Sequence, residues 1–168
     1  LVGMIYERRH SRQIEDFGGL WRVVPAFSVV LLVVSLSAIG LPGLNGFVGE
    51  FLILVGTFRV NLVYAVLATA GIILAAVYML WMVQRVLFGP VRHEENLKLA
   101  DLTPREYAVL LPVLLFIVWI GVYPQPFLRT TEASVRQLLT QVGPGVGGRG
   151  PAAGERPAAV RAAPAPDV

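Results

Sequence analysis

Between Phe27 and Phe58 the sequence carries one ionisable side chain, Glu50, in a run dominated by Leu, Val, Ile and Phe. Such a composition belongs in hydrocarbon, where an acidic side chain at mid-depth costs about 2.5–3.5 kcal/mol even on insertion-derived scales. A carboxylate kept there points to exchange of a proton or cation ahead of a purely structural polar contact. Gly40, Pro42, Gly43, Asn45, Gly46 and Gly49 all precede it within ten residues. Ser35, Ser37 and Thr57 bring hydroxyls that could line a path for water, although hydroxyls in apolar helices also bond their own backbone. A carboxylate gains or loses a proton as its surroundings change. That is the property a proton relay requires.

Other chemistry is sparse. The chain has no Cys, which excludes disulfides, thiolate metal sites and a Cys nucleophile. Its two histidines, His10 and His93, fall in charged loops and read as solvated residues, so no metal site is expected. No cofactor-binding motif is present, and the sole lysine, Lys98, is in a loop. The net charge of +3 arises from Arg residues flanking apolar runs, with no basic surface interleaved with aromatics that would suit nucleic acid.

The residues around Glu50 dictate the element that holds it. Four glycines and Pro42 would sacrifice on the order of 7 kcal/mol of propensity in a continuous helix. An unbroken helix over 25–58 would also be about 50 Å long against about 30 Å of hydrocarbon. Two half-helices, 27–39 and 45–58, joined by irregular backbone, are therefore expected to form one discontinuous span. Freed amides and carbonyls in lipid must meet protein or cavity water, and interrupted helices accordingly line ion paths. Close helix packing also explains glycines, but it leaves Glu50 unexplained.

The rest of the chain follows from its hydropathy. With 55% hydrophobic residues, 15% charged residues and a mean hydropathy of +0.67, it reads as an all-α, polytopic membrane protein. Residues 1–24 are expected to hold the tail of a preceding span and a basic loop with Arg9 and Arg12. A second span over 62–88 ends at Arg85, which can snorkel, beside Trp81. A loop at 89–103 leads to a third span at 104–123, introduced by a capping box of Thr103, Pro104 and Glu106 and kinked modestly at Pro112. Residues 127–142 have the spacing of an amphipathic surface helix, and 143–168 the composition of a disordered tail. Arg is concentrated in the first and third loops, which the positive-inside rule makes cytoplasmic; three crossings then leave the C-terminal tail outside.

Four stretches in register, YERRHSR at 6–12, GLPGLNGFVGEF at 40–51, DLTPRE at 101–106 and GVYPQPF at 121–127, resemble the C-terminal portion of subunit M of bacterial respiratory complex I and its mitochondrial counterpart, chain 4. The resemblance covers about residues 1–142. It implies an antiporter-like bundle of about fourteen helices in which the chain supplies the end of the eleventh and the next three. It further implies that Glu50 is the terminal ionisable residue of a proton pathway on the broken twelfth helix, where related subunits and cation/proton antiporters more often have Lys. The implied function is a membrane-arm proton-translocating subunit of NADH:quinone oxidoreductase in a bacterial inner membrane, partnered by neighbouring subunits. NADH, flavin, iron–sulfur clusters and quinone would be handled by those other subunits. A monovalent cation/proton antiporter subunit, or an inert membrane scaffold, are the alternatives.

Overall fold

The computed structural model describes residues 1–91 and 93–142, and these are helical without a strand. Helix α1, Val2–Arg9, leads through a 3-10 turn at Ile14–Asp16 to a short α2, Leu20–Val23. Next come α3, Pro25–Ala38, and α4, Asn45–Val60, separated by residues 39–44. Helix α5, Leu62–Leu87, returns along them, a 3-10 turn at Glu94–Lys98 follows, and α6, Pro104–Val122, and α7, Gln125–Val142, complete the order.

The two halves of the first span have 14 and 16 residues. At about 1.5 Å per residue neither reaches across about 30 Å of hydrocarbon alone. Helices α5 and α6 do, with mean hydropathies of 2.3 and 1.9 over their most apolar stretches. Pro25 and Pro104 each open a helix at the position where the missing N–H costs nothing. The expected capping box is complete: the Thr103 hydroxyl accepts from the Glu106 amide at 3.4 Å, and the Glu106 carboxylate accepts from the Thr103 amide at 2.7 Å. Asn61 caps α5 by accepting from the amides of Val63 at 2.8 Å and Tyr64 at 3.4 Å.

The best-buried core lies at one end of the bundle. Leu20, Val24, Phe27, Val30, Val83, Val86 and Leu87 pack there with Ile5, Phe17, Leu99 and Leu102. The start of α3 and the end of α5 meet at this core, so the two helices are antiparallel. Most large side chains on α5 and α6 are instead exposed, including Ile73, Leu74, Leu111 and Leu115. Apolar faces of this extent suit lipid or further helices rather than water.

Several boundaries differ from those read in the sequence. Helix α1 continues to Arg9, which was expected in the basic loop, because Arg8 and Arg9 suit its carbonyl-rich C-terminus and both find acidic partners. It ends at His10 in the left-handed region, φ 53°, whose amide donates to the Tyr6 carbonyl at 2.7 Å. Asn45, Gly46 and Gly49, all low in helix propensity, belong to α4 and not to the interruption. Pro112 lies inside α6. The amphipathic helix begins two residues early, at Gln125, and the tail at 143–168 lies outside the described residues.

Candidate functional site

The interruption is a closed structural motif. Ile39 donates to the Ser35 carbonyl at 3.1 Å, Gly40 to that of Ser37 at 3.2 Å, and Leu41 to that of Leu36 at 3.1 Å. The last two bonds, with Gly40 at φ 71°, form a Schellman cap. It satisfies carbonyls that would otherwise be stranded in an apolar setting. Leu44 then donates to the Leu41 carbonyl at 3.1 Å, with Pro42 and Gly43, φ 92°, in the turn between them, and α4 begins.

Helix α4 starts alongside the end of α3. A Cβ on Gly46 would overlap the Ser37 carbonyl, so only glycine permits the approach. The Ser37 hydroxyl donates to the side-chain oxygen of Asn45, pinning the two half-helices to each other. Gly49 has open space where a Cβ would stand, so no close approach accounts for it.

Glu50, half-buried, comes a turn and a half into α4, and its carboxylate is seated against Gly40. A Cβ on Gly40 would lie 3.0 Å from the carboxyl carbon and overlap Oε2. Gly40 thus serves twice, adopting the left-handed cap and leaving room for the acid. The one ionisable group of the span and the one gap in its backbone therefore coincide in space. A third helix closes the assembly: a Cβ on Gly121 of α6 would overlap Gly43 and Leu44.

The hydroxyls divide. Ser35 and Ser37 are buried near the break, whereas the Thr57 hydroxyl donates to the Ile53 carbonyl of its own helix at 2.8 Å. Thr57 is thus engaged with local backbone, the bonding pattern open to any hydroxyl in an apolar helix. Among the described residues no group of His, Asp and Glu has the arrangement of a metal site.

At the core end of the bundle lies a polar network that the sequence did not disclose. Both Asp101 oxygens accept from the start of α3, from the amides of Ala26 at 2.9 Å and Phe27 at 3.0 Å, and Oδ1 also accepts from Leu102 at 2.8 Å. Val24, the residue before α3, provides no side-chain cap, so a loop 74 residues away does. Burial alone would raise the Asp101 carboxyl, but the three amides and the Arg8 guanidinium hold it below the ordinary carboxylate range. Arg8 grips both Glu106 oxygens, at 2.9 and 2.7 Å, and donates to the Asp101 carbonyl at 3.3 Å. Arg9 pairs with Glu95 and donates to the side chain of the fully buried Asn96 at 3.0 Å. Asn96 in turn donates to the Asp16 carbonyl at 2.9 Å. Arg12 lies over the Tyr6 ring at 4.6 Å. No short-range spacing signals these pairs.

Interrupted helix, half-buried acid and long apolar neighbours define the class: an all-α, polytopic membrane protein. Residues 1–77 match the family described as NADH:quinone oxidoreductase/Mrp antiporter, TM. The chain resembles the C-terminal portion of subunit M of bacterial respiratory complex I. It is 43% identical to NADH-ubiquinone oxidoreductase chain 4 of Marchantia polymorpha over 138 residues, 82% of this chain and 28% of that one. Against NADH-quinone oxidoreductase subunit M of Rhodobacter capsulatus the identity is 41%, with 82% and 27% covered. A chain of respiratory complex I from Thermus thermophilus with bound NADH superposes with a TM-score of 0.75 at 30% identity, covering 84% of this chain and 29% of that one. The chain thus spans a little over a quarter of the length of these relatives.

Proposed function

We propose that this chain forms part of a proton-translocating membrane-arm subunit of NADH:quinone oxidoreductase, with Glu50 carrying the proton at the interrupted span. The observation that carries the reading is the seating of the Glu50 carboxylate against Gly40, where the helix is broken. A backbone gap in a membrane span admits polar groups and water that a continuous helix excludes, and an acid beside it can change protonation as neighbouring charges rearrange. Ser35, Ser37 and Asn45 border the gap and are proposed to line the water path; Thr57, bonded to its own helix, has a lesser claim.

Moving one proton against about 100 mV requires roughly 2.3 kcal/mol. On this reading the energy comes from electron transfer between NADH and quinone in partner subunits, which hold the flavin and iron–sulfur centres. Membership of that oxidoreductase would make the chain part of an enzyme without redox chemistry of its own. The proposed location is an inner membrane, with the network of Arg8, Arg9 and Asp101 on the cytoplasmic side and the C-terminal end outside. That orientation follows the concentration of basic residues.

The test is proton pumping by the intact complex in sealed vesicles. Glu50→Gln is expected to reduce pumping at least about tenfold with the complex assembled, while Glu50→Asp retains much of it. Pumping at the parent rate with Gln would reject the relay role and leave a scaffold. The matched family also includes cation/proton antiporters, and pumping that requires sodium in the assay would favour that second reading.

A further inference from the structure

We infer that α6 is a brace that sets the depth of the helix break, and that Asp101 is a positioning residue for Glu50. The two ends of α6 touch the interrupted span at two separate places. At its N-terminal end Asp101, three residues before Pro104, holds the first amides of α3, while Arg8 ties the Asp101 carbonyl to Glu106 in the first turn of α6. Near its C-terminal end Gly121 packs against the backbone of Gly43 and Leu44, closely enough that a Cβ would overlap both.

Helices α3 and α6 therefore run side by side from a common origin, and each reaches the interruption. From Phe27 to Ala38 is about 17 Å of helix and from Pro104 to Gly121 about 26 Å. The difference of about 9 Å is spanned by residues 39–44, which are not helical and whose Ile39, Gly40 and Leu41 amides bond back to carbonyls of α3. This turn is thus held from α3 by its hydrogen bonds and met from α6 by Gly121, so a helix that resists compression fixes its depth from the second side. Gly40 lies in the loop, and the Glu50 carboxylate rests on Gly40. A shift at either end of α6 is thus passed to the acid, although neither Asp101 nor Gly121 touches it. The Asp101 carboxylate suits the role because it binds two amides of α3 at once, which fixes both the height and the rotation of that helix.

The functional part of this inference rests on the proposed role of Glu50; the positional part does not. Two readouts on the intact complex keep them apart: the position of residues 39–44 in density maps, and protons pumped per NADH oxidised. Gly121→Ala and Asp101→Ala are each expected to displace residues 39–44 by on the order of 1 Å and to lower the proton yield at least about threefold, since misplacement of that size in a positioned site costs up to about a hundredfold. Asp101→Asn keeps one acceptor oxygen and should fall between Asp101→Ala and the parent. If Asp101→Ala fails to assemble, Gly121→Ala and Asp101→Asn still decide. Residues 39–44 unmoved in an assembled Gly121→Ala complex would overturn the brace. A displaced break with full proton yield would instead count against Glu50 as the carrier.

Discussion

Gly40 concentrates the local physics of the site. Its left-handed backbone closes α3, and its bare Cα accommodates the Glu50 carboxylate. Alanine there would pay about 1–2 kcal/mol for the left-handed conformation and would also push the acid aside. Gly40→Ala should therefore lower proton pumping at least several-fold in an assembled complex, whereas Gly49→Ala, with open space at its Cβ, should leave it within about twofold and raise helix stability by up to about 1 kcal/mol. Vesicle pumping assays on the two variants check this directly, and equal losses in both would contradict the geometry. The Asp101 carboxyl, held below its ordinary range, supplies a pH dependence of known sign. Its contribution to stability is present above the unfolded carboxylate value near 4 and is lost as pH falls through the lower folded value. Thermal melts of the detergent-solubilised protein should thus decline on the acid side, and Asp101→Asn should flatten that decline.

At the scale of elements, each helix combines local signals with a partner that only the fold supplies. The interruption, the capping box and the apolar runs were legible in the sequence because glycine, proline and cap preferences act over a few residues. The carboxylate in an apolar run was legible for the same reason. The seating of that acid on Gly40, ten positions away, was not, because it depends on α4 starting beside the end of α3 rather than beyond it. Nor was the capping of α3 by Asp101 or the grip of Arg8 on Glu106, 98 residues apart. Asn45, Gly46 and Gly49 are low in helix propensity yet lie within α4, where Gly46 packs against the Ser37 carbonyl. The core end of the bundle offers a stability test. Leu87 is fully buried among Leu20, Val24 and Phe27, so Leu87→Ala should cost about 2–5 kcal/mol in unfolding experiments, the range for a truncated core leucine. A loss below about 1 kcal/mol would mean that this end collapses around the gap.

At the scale of the molecule, apolar faces of α4, α5 and α6 are laid open while the best-buried core and the Arg8–Glu106 pair gather at one end. That distribution suits a piece of a larger helical assembly in lipid, consistent with a chain that matches a little over a quarter of its relatives' length. A single half-buried acid can pass a proton on but cannot complete a path, so on the proposed reading the remaining groups lie elsewhere in the assembly. The most direct test of the central claim is the infrared difference spectrum of the intact complex between resting and NADH-driven states, read in the carboxylic acid region. A band from Glu50 should appear on turnover and vanish in Glu50→Gln, marking gain and loss of a proton at the break. Identical spectra for parent and Glu50→Gln would contradict the account.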